Sequence, residues 1–202
     1  ISDLVSPLCE RLVIFYHGDI LVDALLQRLA YSLFRPIENR LLRKAVRIIS
    51  TSPNQALFSE ALKRFAHKVE IIPLMVPDEW VNATPEEEEA ARRIRGEYGT
   101  PLVLFVGRLV TYKGISSLIS AVPKVPGASF LIVGDGPLEA DLRKQAAEHR
   151  VADRVHFLGR TPSLKPYYMA CDLLVLPSIN AVEMFGLVQL EAMCFGKPVV
   201  TS

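Results

Sequence analysis

Cysteine is scarce in this sequence. Cys9, Cys171 and Cys194 are the three present, with no Cys-x-x-Cys spacing and no pairing pattern. That argues against a disulfide framework and makes a reduced, cytosolic compartment the default expectation. Cys171 and Cys194 lie in apolar stretches and read as small core residues. Asp-x-Asp is absent throughout, so a divalent ion held by such a pair is not expected. No apolar run is long enough to span a bilayer, and no signal peptide is expected. An excess of one charge is also missing: 23 Lys and Arg face 22 Asp and Glu, which gives no footprint for nucleic acid. Half of the 202 residues are apolar, enough to bury a core and to rule against disorder. The sequence starts at Ile1 and stops just after the apolar run Pro198-Val199-Val200, so both ends read as cuts through a longer chain.

Periodicity divides the chain. A strand is expected over 11–16, ending at His17-Gly18-Asp19. A helix follows over 20–34, with Leu21, Leu25, Leu29 and Leu33 on one face; Arg35-Pro36 ends it, and a second helix runs over 37–44. After a strand at 47–50, Ser52-Pro53 starts a helix expected to bury Leu57, Phe58, Leu62 and Phe65, and 69–72 is the next strand. Pro73 and Pro77 mark a change of regime. Thr84-Pro85 then caps a helix with acids first and arginines last, read as a solvated connector. The expected division is therefore 1–76, a connector over 77–100, and 101–202. From Pro101 apolar strands alternate with amphipathic helices, the pattern of an α/β domain with a parallel sheet and right-handed crossovers. In such sheets ligands bind outside the carboxyl ends of the strands, where every candidate motif falls.

The first motif, Gly107-Arg108-Leu109-Val110-Thr111-Tyr112-Lys113-Gly114, joins a strand to a helix. Gly107 permits a tight turn, and Arg108 and Lys113 put two cations where a diphosphate would sit. Ordinary surface bases on a strand–turn–helix are the competing reading. The second, Gly134-Asp135-Gly136-Pro137, is too short for a dinucleotide fingerprint and reads as a backbone turn before a phosphate loop. The third runs from Glu183 through Phe185, Gly186 and Leu187 to Glu191. A helix start supplies free N–H groups for an anion. Glu191, among Leu190, Ala192 and Met193, is a carboxylate that needs partners, and sugar hydroxyls are suitable ones. The alternative is a capping acid and a solvated Glu. Last, His17 with Asp19 ends a strand, placed either to meet substrate or to serve structure. His67, His149 and His156 read as structural.

These motifs, with Phe105-Val106, Ile132-Val133, Phe157-Leu158-Gly159, Asp172 through Ser178 and Gly196, closely resemble family 4 of the retaining glycosyltransferases of GT-B architecture. The family's Glu-x7-Glu motif maps onto Glu183 and Glu191. Tyr16-His17-Gly18-Asp19-Ile20, Ile49-Ser50-Thr51-Ser52 and Ile71-Ile72-Pro73-Leu74 are similar to the end of the family's acceptor-side domain. One departure is Met184, where the family carries a small residue.

The resemblance implies two Rossmann-like domains, both incomplete here, and transfer of a hexose from a nucleoside-diphosphate sugar to an acceptor hydroxyl with retention. It implies Glu183 and His17 on the catalytic side, and Gly107, Arg108, Lys113, Phe185, Gly186, Leu187 and Glu191 on the donor. It implies no metal and no cofactor beyond the donor; GDP-mannose is favoured, with a UDP-sugar as the alternative. A sugar or a lipid-linked molecule is the expected acceptor, and activity of the fragment alone is in question. Two other functions stay open: a non-catalytic nucleotide-sugar-binding subunit, and a sugar-nucleotide epimerase of the same architecture. Apolar faces and arginines over 21–47 allow peripheral membrane contact, against the alternative of an ordinary core helix.

Overall fold

The computed structural model describes residues 11–18, 25–179 and 186–202, without the side chains of 25–28. The chain divides into two compact units after Leu74.

The first unit is a parallel three-stranded sheet in the order β1-β2-β3, built from β1 (Val13–Tyr16), β2 (Arg47–Ser50) and β3 (Val69–Ile71). Its crossovers are α1 (Leu25–Lys44) and the pair α2 (Pro53–Phe58) and α3 (Glu60–Lys63). The core gathers Tyr16, Leu42, Ala45, Ile48 and Leu62.

Two expectations fail here. Pro36 does not separate two helices; α1 runs through it. Proline removes one helix hydrogen bond, but side chains on either side of it are tied together. Tyr31 Oη donates to Glu38 Oε2 at 3.0 Å, while Tyr16 Oη reaches Glu38 Oε1 at 3.5 Å. Among the described side chains of α1, Leu29, Leu33, Phe34 and Ile37 are exposed. The second failure is in α2, where Leu57 and Phe58 are exposed and the buried residue is Gln55, while Leu62 is buried as expected. Its side-chain oxygen accepts from Ser50 Oγ at 2.7 Å and from the Thr51 amide at 3.1 Å, so satisfied polar groups occupy the place expected for Leu57 and Phe58.

The second unit opens with α4 (Pro85–Tyr98), capped by a reciprocal Thr84–Glu87 box. Its charged face is exposed, as its composition requires, but it is no free connector. Ala91 is buried, and Ile94 and Tyr98 pack into the core beside α7 (Lys165–Ala170). Arg95 Nη1 binds Asp172 Oδ1 at 2.9 Å, and Asp172 Oδ2 accepts from the Leu102 amide at 2.7 Å.

Five parallel strands follow in the order β6-β5-β4-β7-β8: β4 (Leu102–Val106), β5 (Ser129–Val133), β6 (Val155–Gly159), β7 (Leu173–Leu176) and β8 (Val199–Thr201). Both faces of the sheet are covered, which is why β4 is buried at every position. Val103, Phe105, Phe130 and Ile132 face α5 (Ile115–Ala121) and α6 (Glu139–Glu148). Leu102, Leu104, Val106, Leu131 and Val133 share the opposite core with α4, α7 and Ala192 of α8 (Leu187–Cys194). Cys171 is buried there, and burial pushes its thiol up to about 11. Cys194 departs from expectation and is exposed, because it ends the short α8 on the side away from Ala192.

Candidate functional site

β4 is the strand at which the sheet order reverses: β5 and β6 lie on one side, β7 and β8 on the other. Such a switch point opens a crevice at the carboxyl ends of the strands. On the β5–β6 side of β4, the loops leaving β4, β5 and β6 border an open cavity of about 660 Å³, lined by Val106, Gly107, Arg108, Val133, Gly134, Asp135, Arg160, Thr161 and Leu164. Backbone bonds hold the three loops in register: Gly107 N–H to Val133 O, Leu109 N–H to Asp135 O, and Gly134 N–H to Gly159 O, all within 3.0 Å. Gly134 has φ 133°, and a Cβ on it would overlap the Gly107 carbonyl. The Gly-Asp-Gly-Pro segment thus works as a backbone turn whose glycine lets two loops touch. Two cations reach this cavity, Arg108 and Arg160; Arg160 Nε also lies 3.4 Å from Asp135 Oδ1.

The remainder of the first motif is directed toward β7. Gly114 is left-handed (φ 67°), and a Cβ there would run into the carbonyl oxygen of Pro177, the residue after β7. The Ile179 amide completes the contact by donating to Tyr112 O at 2.8 Å. Lys113 is half-buried in this turn, its Nζ 5.6 Å from the centre of the Tyr112 ring. Lys113 belongs to the turn that meets the β7 end, and its Cε lies 3.7 Å from where a Cβ on Gly107 would stand, beside the cavity that Gly107 and Arg108 line.

The third motif is described from Gly186 onward. Gly186 is buried and precedes α8, whose first residue, Leu187, is exposed. Glu191 lies one turn into α8 and is half-buried. Its Oε2 accepts from the hydroxyl of Tyr168 at 2.6 Å. Tyr168 is wholly buried. Burial first, then the Glu191 carboxylate, hold its hydroxyl protonated far above the ordinary phenol range. Glu183 and Phe185, like Met184 and Asp19, lie outside the described residues. His17 follows β1 in the first unit, exposed, its ring 4.8 Å from that of Phe15.

Sequence reasoning missed Arg160, Thr161 and Leu164, although Gly159 had been singled out. Asking which side chains follow each strand end would have found Arg160, as it found Arg108. Tyr168 left a fainter signal: a tyrosine in an apolar helix needs a partner for its hydroxyl.

Two compact units, each a parallel sheet with helical crossovers, agree with the GT-B glycosyltransferase fold of the solved structures on which the chain superimposes. Residues 87–202 match the family model described as glycosyl transferases group 1, and the chain belongs to that family. It is 31% identical over 193 residues to O-antigen chain mannosyltransferase C of Escherichia coli, covering 95% of this chain and 50% of that protein. It is 32% identical over 197 residues to D-rhamnosyltransferase WbpZ of Pseudomonas aeruginosa, covering 94% of this chain and 48% of the other. Among solved structures, Anabaena HepE in complex with UDP and glucose superimposes with a TM-score of 0.80 at 26% identity, over 99% of this chain and 54% of HepE. The chain spans about half the length of these relatives.

Proposed function

We propose that this chain carries the donor-binding part of a retaining hexosyltransferase of polysaccharide or glycoconjugate synthesis. The enzyme moves a hexose from a nucleoside-diphosphate sugar to an acceptor hydroxyl. The observation that carries the reading is the cavity at the carboxyl ends of β4, β5 and β6, bordered by Gly107, Arg108 and Arg160, in a chain of this family.

In this reading Arg108 and Lys113 offset the charge that builds on the departing diphosphate, and the amides around Phe185, Gly186 and Leu187 add to that field. Glu191 accepts from the ribose hydroxyls and Glu183 from hydroxyls of the sugar. His17 acts on the transferred sugar. The bond from the anomeric carbon to the phosphate oxygen breaks as the acceptor oxygen bonds on the same face, and the phosphate oxygen takes the acceptor's proton.

Similarity to two mannosyltransferases, one of them GDP-mannose-dependent, supports GDP-mannose as the first donor to test. HepE, whose structures hold UDP and UDP-glucose, supports UDP-glucose as the second. The exposed apolar stripe of α1, flanked by Arg35, Arg40 and Arg43, supports peripheral contact with a membrane carrying a lipid-linked acceptor.

The test is to incubate the full-length protein with each donor, with and without a sugar or lipid-linked acceptor, and to follow products by NMR. Transfer with the donor's anomeric configuration kept is the expected result. An inverted product would remove retention from the proposal. A rearranged donor without transfer would replace it by an epimerase, and donor binding without turnover by a binding subunit.

A further inference from the structure

Glu191 is not a free carboxylate waiting for a ligand, since one of its two oxygens is already engaged. The Tyr168 hydroxyl that engages it comes from α7 and closes a 2.6 Å bond to Oε2 on α8. Tyr168 has little freedom of its own. The Trp80 ring meets it edge-on with centres 5.8 Å apart, and Phe195 stacks at 6.4 Å with the planes 10° apart. The helix beneath is anchored by Lys165, whose Nζ donates to the carbonyls of Glu79 and Asn82.

A glutamate on a helix has three side-chain rotors, and fixing them for a ligand carries an entropic cost. A wholly buried, aromatic-clamped hydroxyl that binds one oxygen bears that cost during folding, because it fixes the plane of the carboxylate. An ionised carboxylate can accept at both oxygens. With Oε2 held by Tyr168, Oε1 is left in a set orientation on the half-buried side chain. We infer that Tyr168 is a positioning residue for nucleotide binding: it orients Glu191 so that Oε1 meets a ribose hydroxyl of the nucleoside diphosphate. The inference rests on the assignment of Glu191 to the ribose.

Calorimetry of UDP and GDP binding to the full-length protein tests it, with Tyr168→Phe, Glu191→Ala and the double variant. Phenylalanine keeps the ring and its packing, so the substitution removes the hydroxyl alone; near-UV circular dichroism checks that the aromatic cluster persists. Tyr168→Phe is expected to raise Kd about three- to tenfold, and to leave Kd unchanged once Glu191 is already alanine. A residue that merely stabilises the α7–α8 contact would lower the thermal midpoint without this dependence on Glu191. Unchanged affinity in Tyr168→Phe, beside a clear loss in Glu191→Ala, would overturn the inference and leave the ribose assignment standing. An equal loss from Tyr168→Phe in both backgrounds would overturn it as well. No loss in Glu191→Ala would remove the ribose assignment and the inference with it.

Discussion

Two carboxylates eight residues apart, Glu183 and Glu191, are assigned different parts of the same donor, and the assignment can be separated by mutation. Glu191 stands on α8, tied to Tyr168, and is given to the ribose. Its replacement by alanine should weaken binding of the bare nucleoside diphosphate. A hydrogen bond to a charged group contributes roughly 1.5 to 3 kcal/mol, which is about ten- to a hundredfold in affinity. Glu183→Ala should leave that affinity nearly unchanged and depress turnover of the intact sugar donor. Calorimetry with UDP or GDP, paired with donor kinetics, reads both; equal losses of nucleotide binding would refute the division. Gly114 is a different kind of residue, required by backbone geometry. Alanine there would be held left-handed with its Cβ against the Pro177 carbonyl. Gly114→Ala should lower stability by about 2 kcal/mol or more in chemical denaturation. It should also weaken donor binding, because Lys113 loses its fixed turn.

At the scale of elements, Asp172 joins three of them. It accepts from the first amide of β4, pairs with Arg95 of α4 and immediately precedes β7. Burial alone would raise its pKa, but the Leu102 amide, the Arg95 hydrogen bond and the charges of Arg95 and Lys197 outweigh that and hold it below the ordinary value. A carboxylate depressed in the folded state contributes stability above its unfolded pKa and loses it as pH falls through the folded one. The thermal midpoint of the second unit should therefore decline with acidification below about pH 4. Asp172→Asn should be less stable at neutral pH and flatter over that acid range, and a parallel pH dependence in the two proteins would exclude this source. Strands β4 to β8 were legible in the sequence because a sheet buried on both faces reads as continuous apolar runs between helical periods. The first unit was less legible. Periodicity could not foresee that Gln55 would be buried in place of Leu57 and Phe58, nor that Tyr31 and Glu38 would tie α1 together across Pro36. Within the site, the glycines and Arg108 at strand ends were readable from local spacing, whereas Arg160, outside any motif, was not. The Tyr168–Glu191 pair was not, since it joins two helices 23 residues apart.

For the molecule as a whole, the chemistry proposed turns on how a departing diphosphate is kept from accumulating uncompensated charge. A bound divalent ion is one solution, and as a Lewis acid it contributes several kcal/mol to the transition state. The proposal gives that role to Arg108, which lines the cavity, and Lys113, beside Gly107, and the sequence has no Asp-x-Asp to grip an ion. Cations held in place beforehand need little reorganisation as charge develops. Donor turnover by the full-length enzyme should therefore survive removal of divalent ions. Dialysis against EDTA should change the rate by less than about twofold, whereas loss of a catalytic Lewis acid would be on the order of a hundredfold or more. Arg108→Ala and Lys113→Ala should each lower kcat by about ten- to a thousandfold, with added Mg²⁺ or Mn²⁺ giving no recovery. Activity lost in EDTA and regained only with Mn²⁺ or Mg²⁺ would overturn the assignment, because the leaving group would then be shown to depend on an ion and not on these two side chains.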